Sequence, residues 1–185
     1  MAAPRPIPRD LAEASGRRVR DIVSPNLEVL FCGINPGLWS AAVGHHFARP
    51  GNRFWKVLHL AGFSPDIIAP EDDRQLLALG LGVTNLVPRA TASAAELDRE
   101  ELREGARRLA RRVRRWRPRF VAFVGIGAFR LAFGRPQAVI GEQSQPIGST
   151  RVWLLPNPSG LQAHYRLDDL VAAYSELREA TQRPD

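Results

Sequence analysis

The chain has 185 residues, a hydrophobic fraction of 44%, and 26 Lys and Arg against 19 Asp and Glu, for a net charge of +7. That length suits one domain with a sizeable core, no stretch approaches the roughly 20 apolar residues of a membrane span, and a basic surface favours polyanionic partners through counterion release. Cys32 is the only cysteine, which excludes an intrachain disulfide, and a four-cysteine iron–sulfur cluster or cysteine-built zinc site supplied by this chain alone.

Residues 1–10 are rich in Pro and Arg and contain no apolar h-region. They read as a flexible basic arm rather than a secretory signal, and with the single cysteine they fit a cytoplasmic location. Residues 11–185 are expected to form one domain. A helix is predicted over 11–23, stopped by Pro25, and a strand over 27–32. The loop Gly33-Ile34-Asn35-Pro36-Gly37-Leu38 follows that strand directly. A helix is predicted over 53–61, with Phe54, Val57, Leu58 and Ala61 on one face, then a shorter helix over 71–79. Residues 82–87 read as a second strand and its exit loop.

Ser93 and Glu96 have the spacing of a capping box. Leu97, Leu102, Ala106, Leu109, Val113 and Trp116 then recur at helical spacing, and Pro118 ends the run. A strand is predicted over 120–124, a helix over 128–133, a last strand over 151–155 and a last helix over 167–180. The loop Asn157-Pro158-Ser159-Gly160-Leu161 follows the last strand. Strands alternating with helices predict an α/β fold with a parallel sheet. In such sheets ligands bind beyond the carboxyl ends of the strands, so two stiff polar loops at strand ends can face one crevice.

These two loops, together with Gly44-His45-His46-Phe47-Ala48-Arg49-Pro50-Gly51-Asn52-Arg53-Phe54-Trp55-Lys56-Val57-Leu58, resemble the motifs of the mismatch-specific uracil-DNA glycosylases, the family of the bacterial double-strand uracil glycosylase and eukaryotic thymine-DNA glycosylase. The likeness extends from about residue 27 to the final helix. It implies a three-layer α/β/α sandwich with a short central parallel sheet. It also implies a DNA repair enzyme that removes uracil, preferably opposite guanine in duplex DNA, acting as a monomer with no metal or cofactor.

Such chemistry takes the nucleotide out of the stack, stabilises negative charge on the departing base and holds a water at the sugar. The resemblance gives the water to Asn35, whose amide oxygen can orient it without basicity. An Asp there is expected to react faster. Gly33, Ile34, Pro36 and Gly37 shape the base pocket and bring backbone N–H groups to the base. Phe47 is the stacking position, and Ser40 lies near the C5 edge of the pyrimidine. Asn157 opens the second motif at the base. Ser159, Gly160, Leu161 and Gln162 are expected to meet DNA, with Leu161 as the wedge that fills the vacated stack. Relatives often have Ser and a basic residue after this Leu, where Gln162, Ala163 and His164 stand here.

His45 and His46 read as solvated loop histidines that could reach base or phosphate. Trp39 either narrows the pocket or packs beneath the loop. Asn85, at another strand end, is neutral and suits no acid–base role. Lys56 is the only lysine and lies outside both motifs, so no Schiff-base strand cleavage is expected and the product is an intact abasic strand. Gly125-Ile126-Gly127 lacks the third glycine of a dinucleotide fingerprint. The arginines of residues 103–119 fall mostly on the polar face of a helix. Two rival readings stay open: a same-fold glycosylase preferring ethenocytosine, thymine opposite guanine or hypoxanthine, and a non-catalytic lesion-binding protein. A nucleotide-binding α/β protein is a weaker third.

Overall fold

The structure, a computed structural model, describes residues 5–160 and 165–184. Its centre is a five-stranded sheet ordered β2-β1-β3-β5-β4. The strands are β1 Val29–Gly33, β2 Leu81–Asn85, β3 Phe120–Val124, β4 Gly141–Ile147 and β5 Thr150–Leu155. β2, β1, β3 and β5 run parallel. β1 and β3 read as apolar runs, and β5 does from Val152 onward, because both faces of these strands are covered, while β2 carries the polar Thr84 and Asn85 at its end. Phe31, Phe120, Ala122 and Leu155 point into one core with α3 (Phe54–Leu60) and α6 (Leu167–Gln182). Leu30, Cys32, Val121, Phe123 and Leu154 point into the other with α4 (Arg99–Trp116) and α5 (Ile126–Phe133). The three-layer α/β/α sandwich follows, and among the described residues no helix is long and apolar enough to cross a membrane.

The chain leaves β1 for β2 on one side and places β3 on the other. The strand order therefore reverses beside β1, and that switch point is where an open α/β sheet forms its ligand crevice.

Four sequence expectations are corrected. The sheet is not wholly parallel, because β4 adds an antiparallel edge to β5. Its sequence, Gly-Glu-Gln-Ser-Gln-Pro-Ile, is polar because the strand is mostly exposed, and its register breaks between Gln143 and Ile147, around Pro146, as suits an edge. The predicted 11–23 helix is only α1, Pro8–Glu13. Gly16 takes φ +74 and the chain then runs extended, bridging Arg18 to Arg89 and Ile22 to Val83. This segment covers the outer edge of β2, a tertiary pairing that local propensity does not encode.

The capping box of Ser93 and Glu96 is real but closes a three-residue 3-10 turn, Ala94–Glu96. The long helix α4 has its own cap, the Asp98 carboxylate accepting from the Glu101 N–H at 2.7 Å. Residues Pro70–Leu79 form a kinked 3-10 helix, and a short helix not expected from sequence, α2 Leu38–Val43, leaves the first motif.

Candidate active site

The first motif is held by a continuation of the sheet past its last strand residues. Leu86 and Val87 donate backbone N–H groups to the Gly33 and Ile34 carbonyls, both at 2.9 Å, and Thr91 donates to Pro36 at 3.2 Å. The exit loops of β1 and β2 thus zip together beyond the sheet. Asn35 sits within this zipper. Its Nδ2 donates to the Arg89 carbonyl at 3.0 Å and to the Thr91 Oγ1 at 2.7 Å. The Thr91 hydroxyl proton goes to the Ser93 carbonyl at 2.8 Å, so Oγ1 can only accept from Asn35. Both acceptors select one flip of the amide, and its oxygen is the end left for a ligand or water.

Asn35 lines a cavity of about 340 Å³ with Gly33, Ile34, Pro36, Gly37, Ser40, Phe47, Asn157 and Ser159. The volume is that of a small-ligand cleft. Nine residues of the two-part first motif, Gly33 to Gly37 with His46, Phe47, Arg49 and Asn52, and two of the second, Asn157 and Ser159, therefore meet at one place. Two larger cavities, of about 850 and 640 Å³, lie alongside. Size does not select the site here, because the polar groups expected to handle a base converge on the smaller one.

Phe47 holds a left-handed backbone, φ +52, which is strained for a bulky side chain and is kept only where its surroundings over-determine it. Three contacts do so. Its ring stacks on Phe54 with centroids 4.0 Å apart, the Trp55 indole N–H donates to the His46 carbonyl at 3.2 Å, and Ser40 Oγ accepts from the Ala48 N–H at 3.1 Å. Ser40 therefore lines the cavity and pins the aromatic loop with the same hydroxyl.

The expectation of two solvated histidines is corrected for His46, which is 3% exposed. Its Nε2 lies 3.0 Å from the Arg20 carbonyl, which can only accept, so Nε2 carries the proton. Nδ1 of the neutral ring then accepts from Asn85 Nδ2 at 3.4 Å. Burial lowers the His46 pKa, against the Arg20 carbonyl and Asp73, which raise it. His45 is half-buried and places its Nδ1 3.1 Å from the Asp73 carboxylate. With its nitrogen on His46, Asn85 turns its oxygen toward β1, where a Cβ on Gly33 would meet it at 2.7 Å. A side chain at position 33 would have to displace the Asn85 amide. Asn85, a neutral residue suited to no acid–base part, contributes its amide to the cavity wall.

The second motif is built around Asn157, whose Oδ1 accepts from the Ser159 N–H at 3.0 Å, an Asx turn. A residue that sequence reasoning missed holds this loop to the first motif. Arg53 donates from Nε to the Pro158 carbonyl at 3.2 Å, from Nη1 to Tyr165 at 2.7 Å and from Nη2 to Ser159 at 3.3 Å. Its sequence neighbourhood looked like an ordinary helix start, and the only signal was its place beside the first motif. Gly160 packs so closely that a Cβ would lie 2.6 Å from the Gly51 carbonyl. Leu161 and Gln162 lie outside the described residues. Lys56 is exposed on α3 and does not line the cavity. Burial raises the pKa of Cys32, on β1, and keeps it a thiol.

The sequence profile of the Uracil DNA glycosylase superfamily matches residues 20–178. The chain belongs to this superfamily. Among solved structures it is similar to the solution NMR structure of a candidate uracil DNA glycosylase from Methanosarcina acetivorans, with a TM-score of 0.57 and 18% identity over 88% of this chain and 98% of that one. At that identity the likeness is one of fold. Superfamily membership makes a DNA glycosylase activity the frame for the cavity, and the residues described above are the ones within it that could carry out such chemistry.

Proposed function

We propose that this protein is a mismatch-specific DNA glycosylase that hydrolyses the N-glycosidic bond of uracil, preferably opposite guanine in duplex DNA. The observation that carries the reading is the Asn35 amide, anchored through its nitrogen by Arg89 and Thr91 in a cavity that it shares with Phe47 and Asn157. An amide so held offers an oxygen in a fixed direction. It orients a water for attack on the sugar while the base departs, and positioning rather than basicity supplies the rate.

Phe47, its far face backed by Phe54, stacks on the flipped base. Such stacking is worth about 1–3 kcal/mol per base. Backbone N–H groups of the Gly33–Gly37 loop, to which Pro36 contributes none, stabilise charge on the base carbonyls, Ser40 lies at the C5 edge and Asn157 meets the base. Ser159, Gly160 and Gln162 contact DNA and Leu161 enters the vacated stack; for Leu161 and Gln162 this rests on the family resemblance. The exposed position of Lys56 outside the cavity supports a monofunctional enzyme that leaves an abasic site. We take it to act as a cytoplasmic monomer without metal or cofactor.

A second reading, a preference for a bulkier lesion, has one observation in its favour. The base cavity shares Ile34, Ala94 and Asn157 with the apolar groove of about 640 Å³. Base release from duplex G·U, A·U and G·T, single-stranded U, and duplexes carrying ethenocytosine or hypoxanthine tests both. The proposal expects G·U to be cleaved well above single-stranded U. Equal release from all uracil substrates removes the guanine preference, ethenocytosine above G·U favours the second reading, and no release from any substrate overturns both.

A further inference from the structure

The carbonyl that holds Asn35 belongs to a residue whose side chain is itself tied down. The Arg89 guanidinium meets Glu101 in the first turn of α4 through two parallel bonds, Nε to Oε1 at 2.5 Å and Nη2 to Oε2 at 2.8 Å, and Nη2 also reaches the Glu96 carbonyl at 3.2 Å. Two-pronged Arg–carboxylate pairs fix direction as well as distance. We propose that Arg89 and Glu101 are positioning residues for Asn35: the ion pair sets the distance of the loop after β2 from α4, and so the place of the carbonyl that orients the Asn35 amide. This rests on the proposed function for its catalytic meaning.

Backbone pairing fixes the loop on either side of Arg89, at Val87 to Ile34, at Ala90 to Arg17 and at Thr91 to Pro36. Those bonds set the register along the strands. The Arg89 side chain supplies a bond in the remaining direction, toward the helix layer. The far end of that bond is rigid as well, because the Glu101 N–H is held by the Asp98 cap and Leu102 is buried in the core under α4. The pair perturbs both partners in the sense expected of a made ion pair: the hydrogen bond to Arg89 lowers the Glu101 pKa and the bond to Glu101 raises that of Arg89.

Magnitudes separate this role from a purely structural one. Arg89 is 40% and Glu101 22% exposed, so solvent screens the pair, and even with two-pronged geometry its contribution to global stability is modest. A displacement of about 1 Å at a positioned group can nevertheless cost about a hundredfold in rate. Loss of the pair should therefore slow chemistry far more than it lowers melting.

The test uses the full chain and a G·U duplex under single-turnover conditions with enzyme in excess. Three forms are compared with wild type: Glu101→Gln, Arg89→Lys, and the exchanged pair Arg89→Glu with Glu101→Arg. Melting, duplex affinity and the hydrogen exchange of the Asn35 side-chain amide are measured alongside. We expect each single change to slow uracil release about tenfold to a hundredfold and to speed Asn35 amide exchange, with affinity within about twofold of wild type. The exchanged pair should recover most of both losses. Single variants that keep the wild-type rate and amide exchange, or well-folded ones whose losses the exchanged pair does not recover, overturn the inference. If wild type releases no base from any substrate, the functional reading has failed, and the amide-exchange series still decides the positioning role.

Discussion

At the scale of single residues, the site depends on which end of each amide is already used. Asn35 spends its nitrogen on Arg89 and Thr91, and Asn85 spends its own on His46. The second arrangement requires a neutral His46, since a protonated ring has no lone pair to accept with. Burial holds the His46 pKa below its ordinary 6.5. In the unfolded chain the ring takes up a proton as pH falls through that value, while the folded one does not. The stability this gives is therefore complete above the unfolded pKa and is lost as pH falls toward the folded one. Melting temperature should decline from pH 7 to pH 5, and His46→Gln should flatten that decline. A wild-type slope kept by the variant would show that other groups govern it.

At the scale of elements, one close approach sets the frame of the first motif. Gly105 on α4 lies so near the exit of β2 that a Cβ would stand 2.5 Å from the Leu86 carbonyl. That carbonyl is main chain and the adjoining Leu86 N–H is committed to Gly33, so it cannot shift cheaply. Gly105→Ala gains about 1 kcal/mol of helix propensity but overpacks a fixed contact, at about 1–3 kcal/mol. We expect a net loss of stability in denaturant titration and slower base release; a stabilised, fully active variant would contradict the packing.

Legibility from sequence follows from the same distinction between local and long-range causes. Most of the parallel strands were readable because burial on both faces writes them as apolar runs, whereas Asn35, Phe47 and Asn157 stood out through the family resemblance of their motifs, two of which directly follow such runs. β4 and the 17–22 segment were not readable, since exposure erases the first pattern and the second is set by pairing with β2. His46 looked like half of a polar pair, and nothing local says that Arg20 and Asn85 close over it. Arg53 and the Arg89–Glu101 pair act across 106 and 12 residues of sequence, and only the fold brings their partners to them.

At the scale of the whole molecule, a net charge of +7 is carried partly by arginines that are already paired. On α4, Arg107 and Arg108 meet Glu100 and Glu104, Arg112 meets Asp21, and Arg53 is committed to the second motif. Duplex affinity should still fall linearly in logarithmic coordinates with salt, with a slope of about −0.9 for each phosphate neutralised. Affinity measured between 50 and 200 mM salt checks this, and a flat dependence would mean that the basic surface is not the one that meets DNA.

The central claim is that an amide anchored through its nitrogen at Asn35 holds the attacking water. Single-turnover uracil release from a G·U duplex by wild type and Asn35→Ala, with duplex binding measured on the same samples, tests it most directly. The account predicts binding close to wild type and cleavage slowed by about two to four orders of magnitude, the range of a lost positioning or acid–base contribution. Near-normal release by Asn35→Ala would place the water on another residue and contradict the account.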